Sequence, residues 1–236
     1  MPNVVRWVLA VAVVALALGP PIAFFRYQYA HAKRFRAVVP GRFYRSGQMT
    51  APGLREIVAR HGIKLVINLQ HEEPDPLLLN HWMGHGVIRE SALCKELGVK
   101  YALLTPDVLP PGNQLHHTPQ AVKDFLKLLD DESNYPILLH CKAGLHRTGR
   151  LTAIYRMEYM GWTAGEALRE LRANGYGFVM SSEADPYIVQ FVQNYKPRSQ
   201  KPKRLPVAPM PRRVSDDNPL PPAPAPVPPG PEGVRP

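Results

Sequence analysis

The stretch Pro136-Ile137-Leu138-Leu139-His140-Cys141-Lys142-Ala143-Gly144-Leu145-His146-Arg147-Thr148-Gly149 changes its pattern twice within fourteen residues. Residues 137–140 form a short, near-continuous apolar run, as expected of a strand buried on both faces. Beyond the stretch, Leu151, Ile154, Met157 and Met160 recur at helical spacing. Between the two lies a tight loop led by a thiol, so the order predicted is strand, loop, helix. Two more apolar runs of strand length occur at 63–69 and 99–104. Helical patterns follow: Thr118 as a cap with Pro119 at the first helical position, then Val122, Phe125, Leu126 and Leu129 on one face. Thr163 and Glu166 have capping-box spacing, and Ser182 precedes a helix presenting Ile188, Phe191, Val192 and Tyr195. Strands alternating with helices indicate a single α/β domain with a central, mostly parallel sheet flanked by helices. No repeat is visible, and neither a dinucleotide-type nor a Walker-type glycine loop occurs.

A strand–loop–helix turn wraps successive backbone N–H groups into a concavity for an anion, and the helix N-terminus adds about half a positive charge. The same field, with Arg147 beside it, favours Cys141 as a thiolate nucleophile. Five residues separate Cys141 from Arg147, so the loop must curl until thiol and guanidinium face one bound group. Arginine suits this place because its planar fork holds two phosphoryl oxygens at once. Gly144 supplies a position free to adopt positive φ. Thr148 is placed to donate its hydroxyl to the cysteine sulfur.

The rest of the chain bounds what this loop serves. The 236 residues carry 29 Lys and Arg against 19 Asp and Glu, a formal +10. Residues 1–36 account for +5 and residues 196–236 for another +5, whereas 37–195 holds sixteen of each sign. A neutral middle excludes a globally basic nucleic-acid-binding domain. Two cysteines exclude a disulfide scaffold and a four-thiolate zinc site. Residues 7–25 are uncharged and long enough to cross a bilayer, although Pro20-Pro21 weakens the second half as a helix. Two readings compete there: an uncleaved membrane anchor, or a secretory signal with its apolar core at 7–14 and a cleavage site at Ala15-Leu16-Ala17. Arg26, Lys33, Arg34, Arg36, Arg42 and Arg45 follow the segment and only Arg6 precedes it, which favours an anchor with the bulk of the chain in the cytoplasm. The expected division is 1–36 as anchor with basic flank, 37–195 as catalytic domain, and 196–236 as tail. Fourteen of the 27 prolines lie in that tail, which reads as disordered, a stiff spacer or a ligand for an aromatic groove. Its basic cluster 196–204 is placed to touch anionic lipid.

The loop resembles that of the cysteine-dependent protein tyrosine and dual-specificity phosphatases, which reads His-Cys, five residues, Arg, then Ser or Thr. His140, Cys141, Arg147 and Thr148 match it, and Arg42-Phe43-Tyr44-Arg45-Ser46-Gly47-Gln48 is similar to the first-strand segment of small members. The resemblance implies Cys141 as nucleophile, Arg147 as phosphate holder and Thr148 as support. It implies His140, Lys142, Ala143, Gly144, Leu145, His146 and Gly149 as the substrate-binding loop, with no cofactor and no metal. It also implies an aspartate general acid some thirty-odd residues earlier. Asp107, 34 residues before Cys141 and just after the 99–104 strand, is the candidate, since Asp124, Asp130 and Asp131 read as the solvated face or end of a helix.

For the substrate, Cys-Lys-Ala-Gly is also how the loop begins in phosphoinositide phosphatases, and Lys-x-Gly-x-His-Arg-Thr-Gly is similar to inositol pyrophosphate phosphatases. Both groups usually carry another basic residue where Leu145 stands, and the second also where Ala143 stands. Phosphotyrosine, phosphoserine or phosphothreonine proteins are therefore the first expectation, with phosphorylated inositols or lipids as the alternative. A rival of another class is a non-catalytic phospho-binding module whose tail recruits a partner. His81 and His85, at helical i, i+4 spacing with Cys94 following, imitate metal ligands weakly. His116-His117 reads as loop, and Cys94 as a core thiol in a helix under the sheet.

Overall fold

The computed structural model describes residues 2–71, 73–80, 86–105, 119–176 and 185–198, and only the backbone of 185 and 186. In chain order its elements are α1 (Asn3–Arg26), a π-helical turn (Tyr27–His31), β1 (Arg36–Val39), β2 (Phe43–Gly47), α2 (Ala51–His61), β3 (Leu65–Asn68), β4 (Leu77–Leu79), β5 (Val87–Arg89), α3 (Glu90–Glu96), β6 (Lys100–Leu103), α4 (Gln120–Asp130), β7 (Ile137–Cys141), α5 (His146–Met160), α6 (Ala164–Ala173) and α7 (Asp185–Asn194). Thr118, His116, His117, Ser182, His81, His85, Asp107 and the tail from residue 199 lie outside the described residues.

The sheet order is β1-β2-β7-β3-β6, parallel throughout except for the antiparallel β1–β2 pair. β7 is therefore central, and all five of its residues are buried. The period of two sorts the apolar side chains onto two faces. Ile137, Leu139 and Cys141, with Phe43, Leu65 and Ile67, pack against Phe125 of α4, Leu151 and Ile154 of α5 and Phe191 of α7. Leu138, Tyr44 and Val66 face the other way, against Leu54 and Ile57 of α2 and Leu93 and Cys94 of α3. This two-sided burial accounts for the unbroken apolar runs of the parallel strands. The three runs read from the sequence correspond to β3, β6 and β7, but β6 is the outer strand and is exposed or half-buried along its length, so burial on both faces fails there.

Local signals worked where side chains cap backbone. Thr50 accepts from Gly53 N–H at the start of α2, and Gly62 closes that helix at φ 61°. Thr163 and Glu166 form the expected reciprocal capping box of α6. Pro119 differs from expectation: with ψ 149° it stands just before α4, and its carbonyl accepts from Val122 N–H, so Gln120 opens the helix. The β4–β5 hairpin was not expected. Its residues flank the segment read as a helix carrying His81 and His85, so that helix does not extend to 77–79 or 87–89.

The N-terminal segment also departs from expectation. α1 runs unbroken through Pro20 and Pro21, because a proline φ is helical and the loss is confined to two N–H donors. Its 24 residues span about 36 Å, none is buried, and the helix is long and apolar enough to cross a membrane. The packed domain begins before residue 37. His31 Nε2 lies 2.7 Å from Glu56 of α2, Tyr27 Oη donates to the same carboxylate, and Ala32 is buried. At the other end Arg198 pairs with Asp130 at 2.7 Å and Glu158 at 3.1 Å, so this member of the basic cluster is held by the domain and is not free for lipid.

Candidate active site

Cys141 ends the central strand, at the carboxyl end where parallel α/β sheets present their ligand sites. Lys142, Ala143, Gly144 and Leu145 lead from it into α5 at His146. Gly144 sits at φ 74°, and a Cβ there would come within 2.5 Å of Gly47 N and 2.6 Å of the Ser46 carbonyl. No other residue fits.

The loop is held from outside by its carbonyls. That of Lys142 accepts from Gln48 N–H at 3.2 Å, that of Ala143 from Arg34 Nη1 at 2.9 Å, and that of Gly144 from Arg45 Nη2 at 2.8 Å. In a trans peptide each N–H points opposite the preceding carbonyl. The amides of Ala143, Gly144 and Leu145 thus turn inward, and Gly144 N–H meets Cys141 Sγ at 3.2 Å. The concavity expected from the sequence is built in this way, with the N-terminus of α5 behind it. Arg147 lies in the first turn of that helix and donates to the Leu69 carbonyl, just past the end of β3, at 3.4 Å. Lys142 is exposed, and Ala143 and His146 are half-buried, with the His146 ring edge-on to Tyr176.

Two expected substrate contacts, His140 and Gly149, lie away from the loop's inner face, and two further residues, Leu145 and Thr148, stand differently from expectation. His140 is not at the substrate face: period two turns it onto the opposite side of β7, where Nε2 lies 3.0 Å from the Glu90 carboxylate and both side chains are buried. It steadies the strand before Cys141 from behind. Gly149 N–H donates to the Leu145 carbonyl at 2.9 Å, so it has no part in anion binding. A Cβ there would come within 2.5 Å of Leu171, and its glycine serves the close approach of α5 to α6. Leu145 is buried, leaving only its backbone for a ligand. Thr148 Oγ1 makes no hydrogen bond to the sulfur; it is buried without a hydrogen-bond partner, in the first turn of α5. Asp107 lies outside the described residues.

Sequence reasoning missed the residues that shape the loop from elsewhere. Arg45 is buried, and burial brings its pKa down to about 10, assisted by Arg36 and opposed by Glu170. Arg34 and Lys33 were read as membrane-flanking charge. Glu90, in α3, carried no signal at all. Arg45 alone had one, standing within the segment similar to the family's first strand.

The second cysteine behaves as expected of a core thiol. Burial, with Glu90 and Asp75 nearby, pushes Cys94 up to about 12. At neutral pH iodoacetamide is expected to alkylate Cys141 at least about tenfold faster than Cys94, since the thiolate is the reactive form. Peptide mapping by mass spectrometry checks this, and equal labelling contradicts it.

A thiol on the central strand, a loop of inward amides and an arginine in the following helix define a cysteine-based, phosphate-loop phosphatase. A family model described as DSP-PTPase phosphatase fused to NAD+ kinase matches residues 31–184, and the chain belongs to this family of dual-specificity-type phosphatases. It is 31% identical over 138 residues to a Mycosarcoma maydis protein named tyrosine-protein phosphatase OCA1, covering 57% of this chain and 76% of that one. It is 45% identical over 53 residues to the inositol diphosphatase DSP3 of Arabidopsis thaliana, 22% of this chain and 26% of that one. The core catalytic domain of the PP-IP phosphatase SIW14 from S. cerevisiae shares the fold, with a TM-score of 0.52 at 22% identity over 70% of this chain and 87% of that one.

Proposed function

We propose that this chain hydrolyses phosphomonoesters through a cysteinyl-phosphate intermediate. The observation that carries the reading is the loop itself, whose carbonyls are tied outward so that its amides converge beside Cys141 Sγ. The thiolate attacks phosphorus in line and the bond to the leaving oxygen breaks. Loop amides and Arg147 stabilise charge on the three equatorial oxygens as it spreads. Asp107 protonates the leaving oxygen, then as a carboxylate takes a proton from the water that displaces the cysteine sulfur. The Thr148 hydroxyl, buried and unpartnered, is available to the sulfur as it leaves.

The test is phosphate release by the full chain from phenyl phosphate, phosphopeptides and inositol phosphates. Asp107→Asn should lower kcat on phenyl phosphate by about 10²-fold and flatten one arm of the pH–rate profile. An unchanged profile moves that role to another acid. On substrate, the relatives divide between a named tyrosine-protein phosphatase and a named inositol diphosphatase. Loop composition alone sides with phosphoproteins, because Ala143 and Leu145 are uncharged. The cations brought by Lys33 and Arg34 weigh the other way. We place α1 as a membrane anchor with the catalytic domain on the cytoplasmic side, since the positive residues follow the helix.

A further inference from the structure

Lys33 and Arg34 belong to the segment between the apolar helix and the sheet, yet the structure turns both back onto the phosphate loop. Among the described residues they are the non-glycine positions with positive φ, 40° and 58°. L side chains adopt that conformation at a cost and persist in it where surrounding contacts impose it, often at functional sites. Here the contacts are explicit. Gly47 N–H donates to the Lys33 carbonyl at 2.7 Å, and Arg34 N–H donates to the Gln28 carbonyl at 2.9 Å. The His31 carbonyl lies against Gly53, where a Cβ would come within 2.0 Å. The Arg34 side chain reaches the Ala143 carbonyl.

The Lys33 stem crosses Gly47. A Cβ on Gly47 would meet Lys33 Cγ at 2.5 Å and the backbone of Lys142 and Ala143 at 3.0 Å, so the stem is wedged between the end of β2 and the loop. Its ammonium is half-buried. Burial lowers its pKa, Arg34 and Lys142 lower it further, and only the Cys141 sulfur pulls the other way. Neither Lys33 nor Lys142 has a carboxylate partner among the described residues. A half-buried cation beside two like charges, in a strained turn, weakens the empty fold. An anion offsets it, and the scissile phosphoryl group already has the loop amides and Arg147.

We propose that Lys33 and Lys142 form a second anion subsite at the rim of the loop. It receives a further phosphoryl group carried on the leaving-group side of the substrate. The substrate class is thus a multiply phosphorylated small molecule or lipid headgroup, with Lys33 a specificity residue. This rests on the phosphatase reading and names its substrate class.

The experiment uses the full chain in detergent and a vicinal inositol bisphosphate, both free and as a lipid headgroup in phosphatidylcholine vesicles. Binding to Cys141→Ser is compared by calorimetry with binding to Cys141→Ser/Lys33→Met, which keeps the stem and removes the charge. Loss of one charge-assisted contact is expected to weaken binding at least about tenfold, with Tm unchanged or raised, and Lys33→Arg should restore it to within about threefold. In turnover, the preference for the bisphosphate over p-nitrophenyl phosphate should fall by a similar factor in Lys33→Met. An equal Kd with and without the Lys33 charge overturns the subsite, as does equal loss on both substrates with a lowered Tm. A wild-type preference for a phosphotyrosine peptide over both bisphosphates overturns the substrate class. Absence of phosphate release by the wild type overturns the phosphatase reading instead, since the binding comparison needs no turnover. The free and lipid arms separate the two sources.

Discussion

Cys141→Ser is expected to lower kcat/KM for p-nitrophenyl phosphate by about 10⁴-fold or more, the scale on which removal of a nucleophile acts when the rest of the site is intact. Serine is nearly isosteric, and the contacts that shape the loop are made by backbone carbonyls and by arginines from other elements. None of these depends on the sulfur. Vanadate or phosphate should therefore still bind the variant, with a Kd within about tenfold of wild type. Loss of turnover with retained anion binding separates the nucleophile from the cradle. Retained turnover contradicts the assignment, and loss of both points to a collapsed loop.

Arg147→Lys is expected to reduce kcat by about 10²- to 10³-fold, comparable to removing a positioned donor to developing charge, with a smaller effect on KM. Lysine keeps the positive charge, so ground-state attraction for a dianion largely survives. What is lost is the planar fork. In the native protein the guanidinium also donates to the Leu69 carbonyl at 3.4 Å, a contact that orients its plane beside the loop. A flexible ammonium cannot anchor and chelate together. A variant within about threefold of wild type would show that charge alone suffices.

Much of this was legible in the sequence. The buried strands β3 and β7 announced themselves because both faces of a central parallel strand are apolar, whereas the 99–104 run read the same way and forms the half-exposed outer strand β6. The loop was legible because its demands are local: a glycine where φ is positive, an arginine in the first turn of a helix, a thiol at the strand end. Legibility failed where partners are distant in the chain. Glu90 meets His140 across 50 residues and Arg34 meets Ala143 across 109, and neither pairing leaves a spacing to read. The β4–β5 hairpin was missed because it is only three residues on each side, too short for a periodic pattern. Charge misled in one respect. Lys33, Arg34 and Arg198 counted as peripheral, yet Arg34 contacts the loop, the Lys33 stem lies over Gly47 beside it, and Arg198 locks α4 to α5 through Asp130 and Glu158. Thr148 shows the converse: its identity follows the family pattern, while its hydroxyl is not yet turned to the sulfur.

The central claim is a phosphoryl group transferred to Cys141. Rapid mixing of the full chain with p-nitrophenyl phosphate, denaturation within a single turnover, and peptide mapping by mass spectrometry tests it directly. A phosphoryl group on the peptide containing Cys141, absent from Cys141→Ser and never found on Cys94, is the expected result. Phosphate release at full rate with no phosphorylated Cys141, or with the label on another residue, would contradict it.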